Sequence, residues 1–300
     1  MIFGLALNVG EGLDEAAAIA SLLAGSKISR VWVSYSLRGR DPFEVASAAA
    51  EANRDLRIGL GALSPYIYAP QDIKRKMFEL IGKHGERFDL CLGLGDRKML
   101  EFFGLKISHN TFLTLLTYTL RAIKDDLSER GVKIWLGAQG SKTIALAEHF
   151  DGVLLNHCNP DAVRWALEKM DSVKNRIAVG ISAPAYIYEH PDGAMLASVR
   201  KAALKMLLGS TKMLARELNL QAEYDLALQS IRGVEQGNDD ASFVSEGLIK
   251  TLTITMHIND LPDYIRSIKE LGVVEVVFGY PLSLNSSLIK MLRSALEKIP

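Results

Sequence analysis

The chain has 300 residues, 48% of them hydrophobic, which is enough to bury a large core in two ordinary domains or in one α/β barrel. Lys and Arg total 35 and Asp and Glu total 35, so no overall field draws the protein to nucleic acid or to an anionic membrane, and any phosphate recognition must be local. Cys91 and Cys158 lie in or just after apolar runs, no run approaches the roughly 20 residues that cross a bilayer, and the N-terminus lacks a signal-peptide layout, so a cytoplasmic protein with no membrane partner is expected.

The chain opens with an apolar run, residues 2–8, suited to a strand buried on both faces, and an alanine-rich helix follows at 13–24. A second strand at 30–34 leads to Asp41-Pro42, an N-cap with proline at the first helical position, and to a helix over 43–53. The alternation continues with a strand at 57–62, an amphipathic helix at 71–83 and a strand at 88–94. A short helix around 99–103 precedes a long one at 110–130, whose apolar residues recur at Leu113, Leu116, Leu120, Ile123 and Leu127. Strands follow at 133–138 and 152–156, with a helix between them at 142–149. After a helix at 161–170 and a seventh strand at 176–183, residues 191–250 read as helices only, at 193–208, 211–218, 222–232 and 240–250. That is longer than one barrel helix requires, and it reads as an insertion. A helix at 263–271, a strand at 273–279 and a closing helix at 286–298 complete the chain. Eight strand-plus-helix units in succession favour a closed (β/α)8 TIM barrel with a helical insertion between strands 7 and 8, formed as one domain over 1–300.

In such a barrel the active site is built at the C-terminal ends of the strands. Those ends fall at Asn8, Ser34-Tyr35, Gly61-Ala62-Leu63-Ser64, Gly95-Asp96-Arg97, Gly137–Gly140, Asn156-His157, Ser182 and Gly279-Tyr280. Asp96 is the carboxylate placed there, and so uncharged a mouth suits a cofactor that brings its own reactivity. The turn Gly137-Ala138-Gln139-Gly140 lacks bulk and opens into a helix start, a place where backbone N–H groups favour anionic oxygen. The plainer reading is that its glycines let the chain turn sharply. Histidines at 84, 109, 149, 157, 190 and 257 show no i, i+4 pair, so no metal site is expected. A GxSxG elbow is absent, and Gly93-Leu94-Gly95-Asp96 lacks the third glycine of a dinucleotide fingerprint.

Four segments carry a resemblance: GLGALSPYIYAP (59–70), LGLGDRKMLEFFGL (92–105), WLGAQGSKTIALAEHFDGVLLNHCNP (135–160) and DLPDYIRSIKELGVVEVVFGYPL (260–282). In order and spacing they resemble their counterparts in the luciferase-like barrel family and, within it, the coenzyme F420-dependent methylenetetrahydromethanopterin reductases. The resemblance implies a deazaflavin at the barrel mouth and hydride exchange with a small-molecule substrate, pterin-like or otherwise. It also implies a bulge with a non-proline cis peptide at Gly61-Ala62 behind the ring. Cofactor contacts are implied at Ser34, Gly61, Ala62, Leu63, Gly95 and Asp96, and tail contacts at Gly137, Ala138, Gln139 and Gly140, with Leu155 and Asn156 at the side. Lys142 and Arg97 are near enough in sequence to add positive charge. Asp96 is the candidate proton-transfer group, or else the cap of the following helix. The sequence departs from the reductases at Ala6, where they carry a glutamate, and at Ser34-Tyr35, where acidic and histidine residues are common. Those departures keep two further readings open: an FMN-dependent luciferase-like monooxygenase, and a cofactor-free barrel that acts as a binding protein. Pairing through barrel helices, to give a homodimer, is also expected by resemblance.

Overall fold

Each apolar run of the sequence becomes a strand of one parallel sheet that closes on itself. The computed structural model describes residues 1–8, 12–34, 39–95, 100–101, 104–170, 172–209, 212–234 and 244–299. The strands are β1 (Ile2–Asn8), β2 (Ile28–Ser34), β3 (Arg57–Leu63), β4 (Phe88–Leu92), β5 (Ile134–Ala138), β6 (Gly152–Leu155), β7 (Ala178–Tyr188), β8 (Ile254–His257) and β9 (Glu275–Pro281). Neighbours run β6-β5-β4-β3-β2-β1-β9-β7, and β6 pairs with β7 to complete an eight-stranded barrel.

The helices that cover it are α1 (Leu13–Leu22), α2 (Pro42–Ala52), α3 (Pro70–His84), α4 (His109–Ser128), α5 (Ser141–Ile144), α6 (Pro160–Glu168), α11 (Leu261–Glu270) and α12 (Ser286–Glu297), with α7 to α10 in the insertion. Their starts follow from local chemistry. Asp41 caps α2 by accepting from the Phe43 N–H at 3.0 Å, with Pro42 at the first helical position. The Asn285 side chain accepts from the N–H groups of Ser287 and Leu288 at the head of α12. On α3 the buried Ile73, Met77, Leu80 and Ile81 form the one apolar stripe that faces the barrel wall.

Two features depart from the sequence reading. The seventh strand does not stop at Ala183 but runs eleven residues to Tyr188, through Pro184, which interrupts the apolar run in the sequence. Its last four residues, Ala185 to Tyr188, pair in parallel with the extra strand β8. That strand follows the helix Glu246–Leu252 after the single residue Thr253, with no glycine, proline or asparagine between, so no sequence signal marks it. The helix expected at 142–149 is the four-residue α5 followed by a 3-10 turn, Ala147–His149. It is too short for an appreciable dipole, so the helix-end argument for an anion there does not hold.

The insertion comprises α7 (Gly193–Gly209), α8 (Lys212–Glu217), α9 (Gln221–Val234) and α10 (Glu246–Leu252). It has its own apolar cluster, in which Val199, Ala203, Leu207 and Leu248 gather against Tyr186 of the β7 extension. Residues 240–243 of the expected fourth insertion helix, and most of the short helix expected at 99–103, lie outside the described residues. No helix of the described residues is long and apolar enough to cross a membrane.

Candidate active site

Side chains alternate along each strand, one set pointing out to the helices and the other into the barrel. The inward set forms three levels. At the lower level Asp89, fully buried, accepts from Arg57 Nε at 2.8 Å and from the Lys133 N–H at 3.1 Å, and pairs with Arg30 at 2.9 Å. Arg30 also reaches Glu275 Oε2 at 2.7 Å, and the Trp32 indole N–H donates to Glu275 Oε1 at 2.7 Å. Burial raises the pKa of Glu275, opposed by Arg30 and by the Trp32 hydrogen bond. The hydrogen bond to Asp89 raises that of Arg57 further.

The middle level is aromatic. Trp32 and Trp135 meet edge to face with ring centroids 5.7 Å apart, and the Arg30 guanidinium lies 5.6 and 5.5 Å from the two rings. Cys91, Leu154 and Val277 fill the rest of this layer. Burial pushes the Cys91 thiol up, so it is a neutral packing group rather than a nucleophile.

The upper level, at the strand ends, is made of small residues. Ala6, Ser34, Gly61, Ala62, Gly137 and Ser182 all keep part of their surface open to solvent, whereas the outward-facing neighbours Leu7, Val33, Leu63, Ala138 and Ala183 are buried under the helices. Among the described residues the mouth is therefore a bowl with an aromatic floor and a rim of glycine, alanine and serine. Its back is a bulge: β3 pairs with β4 at Leu60 and resumes at Leu63, and Gly61 and Ala62 between them are joined by a cis peptide. Gly61 has φ of +150°, and a Cβ on it would stand 2.5 Å from the Cys91 carbonyl oxygen, so no side chain fits there. Gly93 is also tight, since its Cβ would meet the Ala62 methyl at 2.9 Å.

Of the residues expected at the site, Ser34, Gly61, Ala62 and Gly137 come together around this bowl, and Gly95 and Asn156 lie exposed at the ends of their strands. Leu63, Ala138 and Leu155 belong to the outer core between barrel and helices, so only their main chain is available to the mouth. Gln139, Gly140 and Lys142 follow β5, Lys142 exposed and the other two half-buried. Tyr35, Asp96 and Arg97 lie outside the described residues. The sequence reading did not single out Arg30, Asp89, Glu275 or the two tryptophans. The signal was present as a charge inside each of three apolar strand runs, at Arg30, Asp89 and Glu275. Among the described residues the rim carries no large side chain, which fits a planar ring, and the main-chain donors of a glycine-bearing turn fit an anionic tail.

The architecture is a closed, eight-stranded parallel (β/α)8 barrel with an extra strand, a match to the luciferase-like fold, and residues 3–132 match the model of the luciferase-like monooxygenase family. The chain is 21% identical over 317 aligned residues to the 5,10-methylenetetrahydromethanopterin reductase of Archaeoglobus fulgidus, with 94% of each covered. It superposes on the coenzyme F420-dependent tetrahydromethanopterin reductase of Methanopyrus kandleri with a TM-score of 0.88 at 18% identity, covering 100% of this chain and 99% of that one. The oxygenating constituent of 3,6-diketocamphane monooxygenase from Pseudomonas putida, solved with FMN, gives a TM-score of 0.66 at 11% identity over 100% of this chain and 98% of its own. At these identities the superpositions establish the fold.

Proposed function

We propose that the protein is an oxidoreductase that holds coenzyme F420 in the bowl and exchanges hydride between the deazaflavin and a pterin-like or other small molecule. The observation that carries this reading is the rim of six small, solvent-open residues, Ala6, Ser34, Gly61, Ala62, Gly137 and Ser182, above the Trp32–Trp135 floor. A bound deazaflavin supplies the hydride chemistry; the chain supplies position and polarity. In this reading Gly61 and Ala62 back the ring, and Ser34 offers a hydroxyl at its edge. Main-chain groups of Leu63 and Gly95 complete the ring contacts, and the turn Gly137–Gly140 with Asn156 takes the phosphate-bearing tail. Ala6 leaves the first strand without a carboxylate at the mouth, so the chain does not itself offer a proton there. The substrate must meet its proton elsewhere, from Asp96 or from water.

Titration of the purified protein with oxidised F420, followed by the cofactor's fluorescence, tests the proposal. Saturable binding in the micromolar range is expected, and absence of saturation up to millimolar cofactor would remove it. Yellow FMN retained through purification would instead favour monooxygenase chemistry on the same bowl.

A further inference from the structure

The turn after β5 is tied down by a side chain with no part in the reading above. His157 Nε2 stands 2.8 Å from the carbonyl oxygen of Gln139. A carbonyl only accepts, so the proton in this bond belongs to the imidazole. The ring is 2% exposed and lies edge-on to Trp165 with centroids 5.5 Å apart. Burial pushes its pKa down, which keeps it neutral with the proton on Nε2.

The Gln139–Gly140 peptide is not among the cis bonds of the described chain. In a planar trans peptide the carbonyl and the following N–H point in opposite directions. With the Gln139 oxygen turned in toward His157, the Gly140 N–H of the same plane is turned away from that buried core. A Cβ placed on Gly140 would meet nothing within 4 Å, so the space beside it is open. The carbonyl of Gly140 is held as well, by the N–H groups of Thr143 and Ile144 at 3.0 Å each.

We propose that His157 is a positioning residue for an anionic ligand group: by holding the Gln139 carbonyl inward it keeps the Gly140 N–H presented to a phosphate oxygen. This rests on the F420 reading and names the device that orders its tail. Without the imidazole the peptide plane is free to rotate and present its carbonyl oxygen, which repels an anion, in place of its N–H donor. The effect is expected at the tail, because the contacts of the His157 ring are with the Gln139 carbonyl of the turn and with Trp165.

The test compares two probes, F420 and the same deazaflavin with its ribityl chain but no phosphate, each titrated against the wild type, His157→Phe and His157→Gln. Phenylalanine keeps an aromatic ring against Trp165 and removes the donor; glutamine restores an N–H donor. The expected result is that His157→Phe weakens F420 about tenfold, leaves the phosphate-free compound unchanged, and that His157→Gln recovers most of the loss. Equal effects on both compounds, or no effect on either, overturn the inference, and should His157→Phe not fold, His157→Met removes the donor and is read the same way. A wild type that binds neither compound sinks the F420 reading itself, which is a separate outcome.

Discussion

The indole of Trp32 occupies the space where a side chain on Gly59, its partner across the β2–β3 ladder, would begin: a Cβ there would stand 2.2 Å from Trp32 Cε3. Trp135 stands in the same relation to Gly152 on β6, at 2.7 Å. Each tryptophan lies over a glycine of the adjacent strand, and that pairing lets two indoles fit across one small barrel. Gly59→Ala therefore forces a ring or a strand to shift, at a cost of about 3 kcal/mol. Guanidinium unfolding should show the loss, and a change below about 1 kcal/mol would mean that the floor is loosely packed.

Beneath those rings the charges are committed to one another. Both Asp89 oxygens are used, by Arg30, Arg57 and the Lys133 N–H, with no solvent to replace a lost partner. Asp89→Asn leaves two guanidinium groups facing an amide and should cost about 3–5 kcal/mol. Asp126→Asn breaks the exposed Lys74–Asp126 pair and should cost less than about 1 kcal/mol. Similar losses in the two variants, measured by chemical denaturation, would refute the buried network as a stabilising element.

The barrel was legible in the sequence because parallel strands buried on both faces appear as short apolar runs at regular spacing. The runs at 2–8, 57–62 and 152–156 are within a residue of β1, β3 and β6. What the sequence hid was pairing. β8 has four residues, two of them polar, and is a strand because the far half of β7 needs a neighbour. The inner charges were hidden for a related reason: Arg30 and Glu275 are 245 residues apart, and only barrel closure brings them together. At the mouth, the cis peptide at the Gly61-Ala62 bulge stands where resemblance to relatives set it, which no single-sequence propensity would have done. Side-chain direction at Leu63, Ala138 and Leu155 was lost because adjacent strand residues face opposite ways, so a run of neighbours cannot all line one bowl.

Buried neutral His157 links stability to pH. Its folded pKa lies below the usual 6.5, so as pH falls past that value the unfolded chain takes up a proton that the folded chain refuses. Stability then drops on the acid side, by up to about 1.4 kcal/mol per pH unit until the folded pKa is reached. Above pH 6.5 the group is neutral in both states and contributes no slope. His157→Gln removes this component, while His84, whose pKa burial also lowers, is common to both proteins and cancels in the comparison. Urea unfolding from pH 7.5 down to 5 should show wild type and variant converging as the pH falls. Parallel curves would show that His157 titrates alike folded and unfolded.

Ser34 tests the bowl without touching the core. It is the last residue of β2, follows the inward-facing Trp32 by two and keeps part of its surface open, so a larger side chain there extends into the mouth. Ser34→Phe should leave the melting temperature nearly unchanged and weaken F420 by at least about tenfold, because the phenyl ring takes the volume that the planar cofactor needs. Ala138 is the contrast: it ends β5, three strands round the barrel, but faces the helices at 3% exposure, so Ala138→Leu should destabilise the fold by about 1–3 kcal/mol through overpacking. Thermal melts and F420 titrations on both variants separate the two effects. If Ser34→Phe bound F420 as the wild type does, the ring would have to sit away from β2, and the assignment of the small-residue rim would fail even with the barrel intact.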